Sequence, residues 1–588
     1  MMTSNGISAA VAAMLISGFR QRIKKELDNE ERSKGKGWRK SVLHFVLLFV
    51  CMGFIYDADA ADWRTLVQPV GTENIPFLID PALLNAAYSA GKGPWDSGTT
   101  VTSIKTTVPL FFVRFYNPTA ALNPSRQEGS WVMRASVVRG LNAQQIRDLF
   151  ALPNTPTMMT LGLSTTGVSL YTGVAAPIAG WGNGGGQQSQ SYSGPYTTFF
   201  NAQSVMDGVL CYQTMASSPN LATIGSYLVA HTPDPYSDME TLYNSLDVLY
   251  NPASYDLFNR ALKSISPTCL DNIATAGIRA VLLQNHAIDD RIDLLSLHES
   301  ESGIWSKAVR SYQHYSAAGF DGDMNGVIIG ADKKTSVNIL SGISLAWMQG
   351  GVSWYDGGGK AAVDYYRVAA YSALLMHDAF LQATLSAGLA DGHSSRNIYI
   401  GTFYQPSQYG PATSPLVALS RTAQGDYRGW NGDFTLRSGT LLRAGPLTIL
   451  PSAVVGYLYQ SRGGFNESGA GALDFTLSEA QSQTFHSDAG IRLDREFLLS
   501  EHQKITPYIS ISWAYEKRLD DRAVTASMNG WNDSFTTYSP LTAGHTGTGS
   551  AGLMMSLNKS LLLIADYITQ AGSGYRDCGF EAGLSWIF

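Results

Sequence analysis

Apolar and polar side chains alternate along the C-terminal half of the chain, in successive runs from about Gly303 onwards. The last run places large apolar residues on one parity, at Phe580, Leu584, Trp586 and Phe588. Successive side chains of a strand point to opposite faces, so each run predicts a strand with one apolar and one small, polar face. Outer-membrane barrels show this alternation between lipid and lumen, with aromatic residues at the membrane interfaces. The pattern therefore predicts a transmembrane β-barrel.

Turn-rich stretches divide this part of the chain into twelve predicted strands, an even number as in closed bacterial barrels. The strand at the C-terminus is expected to pair with the first one and seal the barrel. Cys578 shares its apolar parity and is predicted to face lipid. The longer spacers, 397–415 and 518–546, are predicted extracellular loops. The predicted strands start near Ile304, Met324, Asn338, Asp364, Phe380, Thr422, Leu447, Thr484, Ile505, Gly549, Ser560 and Cys578.

Helical spacing replaces alternation between residues 236 and 300. Short helices are predicted at 238–249 and 254–264, and a longer one follows Pro267, with Thr268 as its cap. That helix is roughly 40 Å long, enough to thread a bilayer-thick barrel. A surface helix packed on the N-terminal region is the alternative. The polar residues that would suit a lumen are Asn272, Arg279, Asn285, Asp290 and Arg291.

Residues 61–235, the N-terminal region below, are rich in β-branched and aromatic runs. Strands are predicted at 108–115, 131–138, 158–168 and 176–178, with a helix at 143–150. The glycine-rich stretch 180–188 lacks the Lys and Ser/Thr of a phosphate-binding loop, so a flexible surface loop is predicted there. The region is therefore expected to be a small, strand-rich soluble unit.

Candidate chemistry in the N-terminal region is sparse. The sequence has neither a Gly-x-Ser-x-Gly nor a His-Glu-x-x-His motif. His231 is the sole histidine between residues 61 and 269, and a catalytic triad would have to use it. Arg134 and Arg139 could bind an anion, although solvated surface arginines are commoner. Cys211 and Cys269 could pair in an oxidising compartment or stay as free thiols. No catalytic, cofactor or metal site is predicted.

The first sixty residues have the order of a secretory signal. A basic patch at 34–40 precedes an apolar run at 42–56, and small residues follow at 58 and 60. Cleavage is predicted between Ala60 and Ala61. A transmembrane anchor is the alternative, but about twenty apolar residues are needed to span a bilayer. The predicted organisation is a leader at 1–60, the N-terminal region at 61–235, a helical linker at 236–300 and a barrel at 301–588.

Composition fits this organisation. Charged residues make up 15% of the 588 residues, below the usual value of about 25%. Low charge together with 58 glycines and 29 tyrosines suits a surface that faces lipid. The net charge of −6 gives no reason to expect nucleic-acid binding. Four cysteines are too few for a disulfide framework in a chain of this length.

A set of short motifs, in order, resembles the autotransporter β-domain, the translocator of type V secretion. They are 305–308, Tyr312, 326–332, 421–430, 465–473, 505–508, Trp513, 524–527 and Phe588. The resemblance implies a twelve-stranded barrel, threaded by the helix, in the bacterial outer membrane. Some members cleave themselves between paired asparagines in the barrel. Here Asn285 precedes His286, so that cleavage is not expected.

The resemblance also implies a function and partners. The barrel would export its own N-terminal region as a passenger and display it at the cell surface, with adhesion as one role. The partners implied are the outer-membrane lipid bilayer, the general secretion translocon and the barrel-assembly machinery. The assembly signal would lie in the last strand, at Phe580, Leu584, Trp586 and Phe588. An enzymatic passenger and a simple pore are the alternatives.

Overall fold

The computed structural model describes residues 67–69, 77–195, 197–298, 302–401, 419–500, 503–539 and 544–587. The predicted leader, the cleavage between Ala60 and Ala61, Phe588, and residues 402–415 of one predicted loop lie outside the described residues. Of the helices in the described ranges, none is long and apolar enough to cross a membrane.

The N-terminal region is built on one nine-stranded sheet. Its strands are β1 Val67–Pro69, β2 Phe77–Ile79, β3 Val101–Thr106, β4 Leu110–Tyr116, β5 Trp131–Met133, β6 Met158–Ser164, β7 Ser169–Val174, β8 Gln187–Ser193 and β9 Thr198–Ser204. They lie in the order β1-β3-β7-β8-β5-β4-β6-β9, and β2 also pairs with β3. The helices are α1 Pro81–Asn85, α2 Ala135–Val138, α3 Ala143–Leu149 and α4 Pro219–Val229.

Two strand predictions in this region are wrong. The run at 131–138 ends as a strand at Met133, and α2 takes up the rest and buries Val138. Residues 176–178 form an isolated bridge from Ile178 to Gly182 instead of a strand. The glycine-rich stretch is a loop as predicted, but it is fixed: Asn183 bonds Asp148 through its backbone and its amide, at 3.1 and 2.9 Å.

Three linker helices follow, α5 Asp238–Leu249, α6 Tyr255–Ile265 and α7 Asn272–His298. The prediction that Thr268 caps the long helix is wrong. The hydroxyl of Ser266 accepts a hydrogen bond from the Thr268 N–H at 3.3 Å and caps a 3-10 turn over Pro267–Asp271. The long helix α7 starts after that turn. Its 27 residues span roughly 40 Å at the α-helical rise.

From residue 303 most of the described residues lie in strands. The strands are β10 Gly303–Tyr315, β11 Phe320–Ser336, β12 Ile339–Trp354, β13 Gly359–Met376, β14 Ala379–Ile400, β15 Leu419–Thr440, β16 Leu442–Ala444, β17 Leu447–Arg462, β18 Phe465–Asn466, β19 Phe475–Leu477, β20 Ala480–Arg495, β21 Phe497–Leu498, β22 Lys504–Arg518, β23 Ala523–Met528, β24 Phe535–Tyr538, β25 His545–Ser556, β26 Leu561–Gly572 and β27 Tyr575–Ile587.

Twelve long strands close into an antiparallel barrel. They run in the order β15-β14-β13-β12-β11-β10-β27-β26-β25-β22-β20-β17, and β17 pairs again with β15. The predicted pairing of the first and last strands is confirmed, with Ile304 opposite Trp586. The predicted alternation also holds: Phe580 and Trp586 are exposed on the outside, whereas Glu581 is buried inside. Closure pairs the two edge strands over residues 429–439 of β15, and a closed barrel is what a bilayer requires.

Two loops at one end of the barrel form a second, four-stranded sheet, the loop sheet, in the order β18-β19-β23-β24. The stretch 518–546, predicted as an extracellular loop, connects two barrel strands and contains β23 and β24, which were not predicted. Their strands are four to six residues long, too short to show a clear period. The loop sheet lies at the end opposite to the pairing of Gly303 with Ile587.

Candidate functional site: the lumen helix and its contacts

The polar helix α7 lies in the barrel lumen and extends from one end to the other. Near its start, the Asn272 amide donates to the carbonyl of Ala318, 3.3 Å away, in the turn between β10 and β11. Near its end, an Arg291 N–H donates to the hydroxyl of Ser585 at 2.6 Å, beside the opposite barrel rim. Lumen-facing strand positions are polar, so the wall supplies partners that lipid could not.

The five residues predicted for the lumen helix each contact a different part of the wall. Asn272 reaches the turn at Ala318. Arg279 pairs with Asp577 of β27 at 2.7 Å. The remaining contacts are Asn285 with Asp433 of β15, Asp290 with Lys307 of β10, and Arg291 with Asp332 of β11.

Arg291 makes the most enclosed of these pairs. Two guanidinium N–H groups donate to the two carboxylate oxygens of Asp332, at 2.8 and 2.7 Å. Both side chains are almost fully buried, and the Tyr371 hydroxyl also donates to Asp332 at 3.0 Å. A bidentate geometry of this kind fixes orientation as well as distance. Arg291 therefore holds the rotation of the helix relative to β11.

A cluster that is buried apart from His286 joins the helix to the closing strands of the barrel. The seam cluster consists of His286 and Asp290 on α7, Lys307 on β10, Asp566 on β26 and Glu581 on β27. The Lys307 ammonium bonds Asp290 and Glu581, and lies 3.4 Å from Asp566. His286 Nδ1 lies 3.3 Å from Glu581 and 3.4 Å from Asp290. The contact between first and last strands is therefore a charge contact as well as a backbone ladder.

Sequence reasoning missed the wall side of this cluster. Lys307, Asp566 and Glu581 all occupy lumen-facing positions in strands whose residues alternate between apolar and polar. That alternation could have identified them. The histidine and three carboxylates have ligand atoms within 4.8 Å of one another and are of a type that binds metals. The Lys307 ammonium already supplies the cation between them.

A second group of charges holds the helix one turn further along, and Arg492 of this group also lies 3.6 Å from Asp290. Arg437 of β15 pairs with Asp293 at 2.7 Å. Arg492 of β20 pairs with Asp494 at 2.9 Å and lies 3.7 Å from Asp293. A cavity of about 210 Å³ remains between the helix and the wall, lined by Arg492, Asp488 and Gln570 among others. The helix therefore fills the lumen only in part, and the free space is polar.

The loop sheet holds the N-terminal region at the far rim. The His231 ring stacks on Trp531 at 4.1 Å, and its Nε2 lies 2.8 Å from the Asp533 carboxylate. Asn220 of α4 bonds the backbone of Tyr538 on β24 in both directions, at 2.7 and 3.0 Å. These contacts join two segments some 300 residues apart in sequence.

Two arginines of the N-terminal region bind the linker helix α5. Arg139 donates to both oxygens of Asp247, at 3.0 and 2.8 Å, between the rings of Tyr212 and Tyr243. Burial acts to lower the pKa of Arg139, but Asp247 offsets this and raises it. Arg134 pairs with Glu240, seven residues before Asp247 on the same helix. Residues two turns apart share a helix face, so the two pairs dock one side of α5.

The candidate catalytic residues do not gather around one cleft. His231 faces the loop sheet, whereas both arginines face α5. The cavity of about 150 Å³ beside Arg134 is lined by Glu240 and Tyr236 and includes neither His231 nor Arg139. Cys211 and Cys269 are free thiols in this structure, and burial raises the pKa of Cys211.

A closed twelve-stranded barrel with a polar helix in its lumen defines a class of outer-membrane translocators. Residues 304–568 match the family model described as the autotransporter beta-domain. This part of the chain is therefore an autotransporter β-domain, and the barrel belongs in the bacterial outer membrane.

Two kinds of similar proteins accompany this match. An extracellular serine protease of Serratia marcescens is 22% identical over 330 residues, which cover 54% of this chain and 28% of that protein. The chain thus spans less than a third of the length of that curated relative. The translocator domain of NalP from Neisseria meningitidis is 16% identical, covers 55% of this chain and 100% of its own, and has a TM-score of 0.41. The β-domain of Bordetella BrkA is 17% identical, with coverages of 49% and 100% and a TM-score of 0.36.

Proposed function

We propose that the barrel exports the N-terminal region through the outer membrane and then holds it at the cell surface. The carrying observation is the path of the chain. The N-terminal region sits on the loop sheet, and α7 runs from that rim through the lumen to β10 at the other rim. This arrangement is expected if the N-terminal region has passed through the barrel and the linker helix has remained in the lumen.

The polar contacts of α7 support a second role for the helix as a plug. Arg279, Asn285, Asp290 and Arg291 engage separate strands, so the helix is held from several sides. Its withdrawal would leave buried charges without partners, which is unfavourable. The helix would therefore stay in place after export and restrict the flow of ions.

Other steps of the proposal rest on the sequence. The segment ending at Ala60 would direct the chain to the general secretion translocon, with cleavage before Ala61. The last strand, with Phe580, Leu584 and Trp586 outward and Phe588 at its end, would be recognised by the barrel-assembly machinery. Loss of Phe588 should then abolish outer-membrane insertion while signal cleavage continues.

Display of a binding passenger is favoured over two alternatives. An enzymatic passenger has support from the relative named as an extracellular serine protease. In the described N-terminal region, however, His231, Arg134 and Arg139 are engaged in separate docking contacts. A simple pore predicts large, steady conductance in planar bilayers, whereas a plugged translocator predicts low conductance. Large conductance of the intact chain would refute the plug.

Protease treatment of intact cells tests the display. Proteinase K is added outside the cell, and the cell extract is blotted with separate antibodies to residues 77–235 and 303–587. We expect the N-terminal region to disappear while a heat-modifiable barrel fragment survives. A periplasmic protein serves as the control for membrane integrity. Survival of the N-terminal region until the outer membrane is permeabilised would refute surface display.

A further inference from the structure

A continuous free space follows one side of the lumen helix. The cavity of about 210 Å³ between helix and wall and a smaller one of about 20 Å³ share Arg279, Leu282 and Glu516 as lining residues. Together the two cavities follow α7 from Thr275 to Asp293, roughly 27 Å at the α-helical rise. The hydrocarbon core of a bilayer is about 30 Å thick. We name this space the side slot.

Both walls of the side slot follow a regular pattern. The lining residues of α7 recur every three or four positions and form one stripe. They include Arg279, Leu282, His286, Asp289 and Asp293. The facing strands β17, β20, β22 and β25 carry small residues along the slot, which leave room beside the helix. They are Ser452, Gly490, Ser510, Ser512 and Ser550. The slot is therefore polar enough to hold water.

Four buried side chains, largely apolar, end the slot toward the inner rim, where β10 starts and β27 ends. Leu294 of α7 packs with Tyr508, Met554 and Leu562 of the wall, and all four are at most 5% exposed. Leu562 is the second residue of β26, and Met554 lies two residues before the end of β25. Tyr508 also lines the slot, so the four residues lie at its end. We name them the apolar seal.

Tyr508 and Arg492 form the boundary between the polar slot and the seal. A side-chain carbon at Gly552 would lie 2.3 Å from the Tyr508 ring, so this glycine allows the ring to lie across β25. The Arg492 guanidinium lies 3.7 Å from the centre of the same ring and donates to the Met554 sulfur at 3.6 Å. Asp494 pairs with Arg492 at 2.9 Å. The charged lining thus gives way to an apolar one within one layer of side chains.

We propose that the apolar seal closes the side slot to ions, and that the path it closes prefers small cations. The inference rests on the plug role proposed for α7 and names the contact that performs it. An ion that crosses apolar side chains loses its water without gaining polar partners, which is strongly unfavourable. Apolar constrictions can also exclude water from a pore. Leu294 is the contribution of the helix to this barrier, so a change of that side chain should open it.

The charges along the slot give the preference for cations. Asp488 of β20 and Glu516 of β22 line it, and neither belongs to an ion pair among the described residues; Asp488 accepts a hydrogen bond from the Ser512 hydroxyl at 2.7 Å. The lining arginines are each paired, Arg279 with Asp577, Arg437 with Asp293 and Arg492 with Asp494. His286 and His486 also lie beside carboxylates. Fixed negative charge in a narrow space raises the local concentration of cations.

Conductance of the purified full chain in planar lipid bilayers tests the seal. We expect low conductance for the unchanged chain and a rise of about fivefold or more for Leu294→Ser, because a hydroxyl admits water to the constriction. Met554→Ser alters the seal from the wall, keeps the helix sequence and should also raise the conductance. Leu295→Ser is the matched control, since Leu295 is buried in the main core cluster; it should stay within about twofold of the unchanged chain. The heat-modifiable shift on gels verifies that each variant is folded.

The reversal potential in a KCl gradient identifies the path of the opened current. The Leu294→Ser chain should pass K⁺ in preference to Cl⁻. Adding Asp488→Asn and Glu516→Gln should lower the ratio of K⁺ to Cl⁻ permeability about twofold or more. Asp391→Asn is the matched control, because it changes an exposed carboxylate of β14, and it should leave the ratio unchanged.

The outcomes separate the seal from the plug. Unchanged conductance of both folded seal variants, or an equal rise in Leu295→Ser, would overturn the seal. An opened current that prefers Cl⁻, or that keeps its permeability ratio after both acid changes, would overturn the cation path. In each of these cases, low conductance of the unchanged chain leaves the plug standing. Large conductance of the unchanged chain would instead refute the plug itself.

Discussion

Replacing Lys307 by methionine should destabilise the barrel by leaving buried carboxylates without their cation. The Lys307 side chain is 3% exposed and contacts three acids, Asp290, Asp566 and Glu581. His286 lies close to Asp290 and Glu581, so Asp566 is the acid with no other cation partner among the described ion pairs. Breaking a buried pair on one side typically costs about 3 to 5 kcal/mol.

Because His286 also lies close to Asp290 and Glu581, we expect a loss of stability at the lower end of that range. We expect Lys307→Met to lower the free energy of unfolding by about 3 kcal/mol. The measurement is urea unfolding of the purified chain in detergent, followed by the heat-modifiable shift of the barrel on gels. Lys334→Met is the matched control, because Lys334 is an exposed lysine on the same barrel. Its effect should stay within about 0.5 kcal/mol.

A double variant tests the cause of the loss. If uncompensated charge on Asp566 is responsible, Lys307→Met combined with Asp566→Asn should recover at least about 1 kcal/mol of the loss, as coupled neighbours do in mutant cycles. The reasoning is refuted if Lys307→Met unfolds within about 1 kcal/mol of the unchanged chain. It is equally refuted if the Asp566→Asn change adds a further loss instead of a recovery.

Three further changes test the contacts that dock the N-terminal region and the linker. Arg139→Met should destabilise the docked region by about 3 kcal/mol or more, because it leaves buried Asp247 unpaired; the measurement is its thermal midpoint in the full chain. Trp531→Ala removes the ring stacked on His231 and should speed the loss of residues 77–235 to limited proteolysis, with no change in the barrel fragment. Asp238 of α5 accepts hydrogen bonds from Arg421 of β15 and from the Ala472 N–H. Burial acts to raise the pKa of Asp238, but these hydrogen bonds leave it lowered. A lowered pKa contributes stability that is present above the ordinary carboxylate pKa and is lost as the pH falls through the folded value. Docking measured by the same proteolysis, with pepsin, should therefore weaken below about pH 4, and Asp238→Asn should lessen that dependence.

The barrel was predictable from sequence because alternation is a local property. Each predicted strand starts within five residues of the observed one, from Ile304 to Cys578. A membrane also reduces the usual ambiguity, since charged residues are unfavourable on the lipid face near the middle of the bilayer. The loop sheet carried no such signal. Its strands are two to six residues long and are stabilised by contacts with α4, which lies in the N-terminal region, far away in sequence.

Local propensity misled where a tertiary contact decided the structure. Residues 131–138 contain four β-branched or aromatic residues, a composition typical of a strand. The chain instead turns after Met133 into α2, which places Arg134 and Arg139 against the acids of α5. No pattern within those eight residues encodes the position of Glu240 or Asp247. The sequence could suggest that the arginines bind an anion, but not that the linker supplies it.

In the candidate site too, the sequence indicates on which face a residue lies but not which residue it contacts. Helical spacing marked Asn285, Asp290 and Arg291 as polar residues suited to a lumen, and the alternation of the strands could have marked Lys307 and Glu581 as inward in the same way. Neither the helical nor the strand periodicity shows which helix residue lies at the same depth along the barrel axis as which wall residue. The depth of each wall residue depends on the register between neighbouring strands, which is set by pairing over the whole strand. Partners could therefore be named only once Ile304 was found opposite Trp586.

The seam cluster ties closure of the barrel to the position of the helix. Lys307 belongs to the first strand, and its ammonium bonds both Glu581 of the last strand and Asp290 of α7. With the helix elsewhere in the lumen, Lys307 would still face two wall acids, Asp566 and Glu581, but Asp290 would lose the Lys307 ammonium and keep only His286 of its own helix as a partner. Removing the ammonium from a buried carboxylate is unfavourable, so the pairing with Lys307 stabilises the observed position of the helix. The wall at the seam thus favours a single resting depth for the chain that the barrel exports.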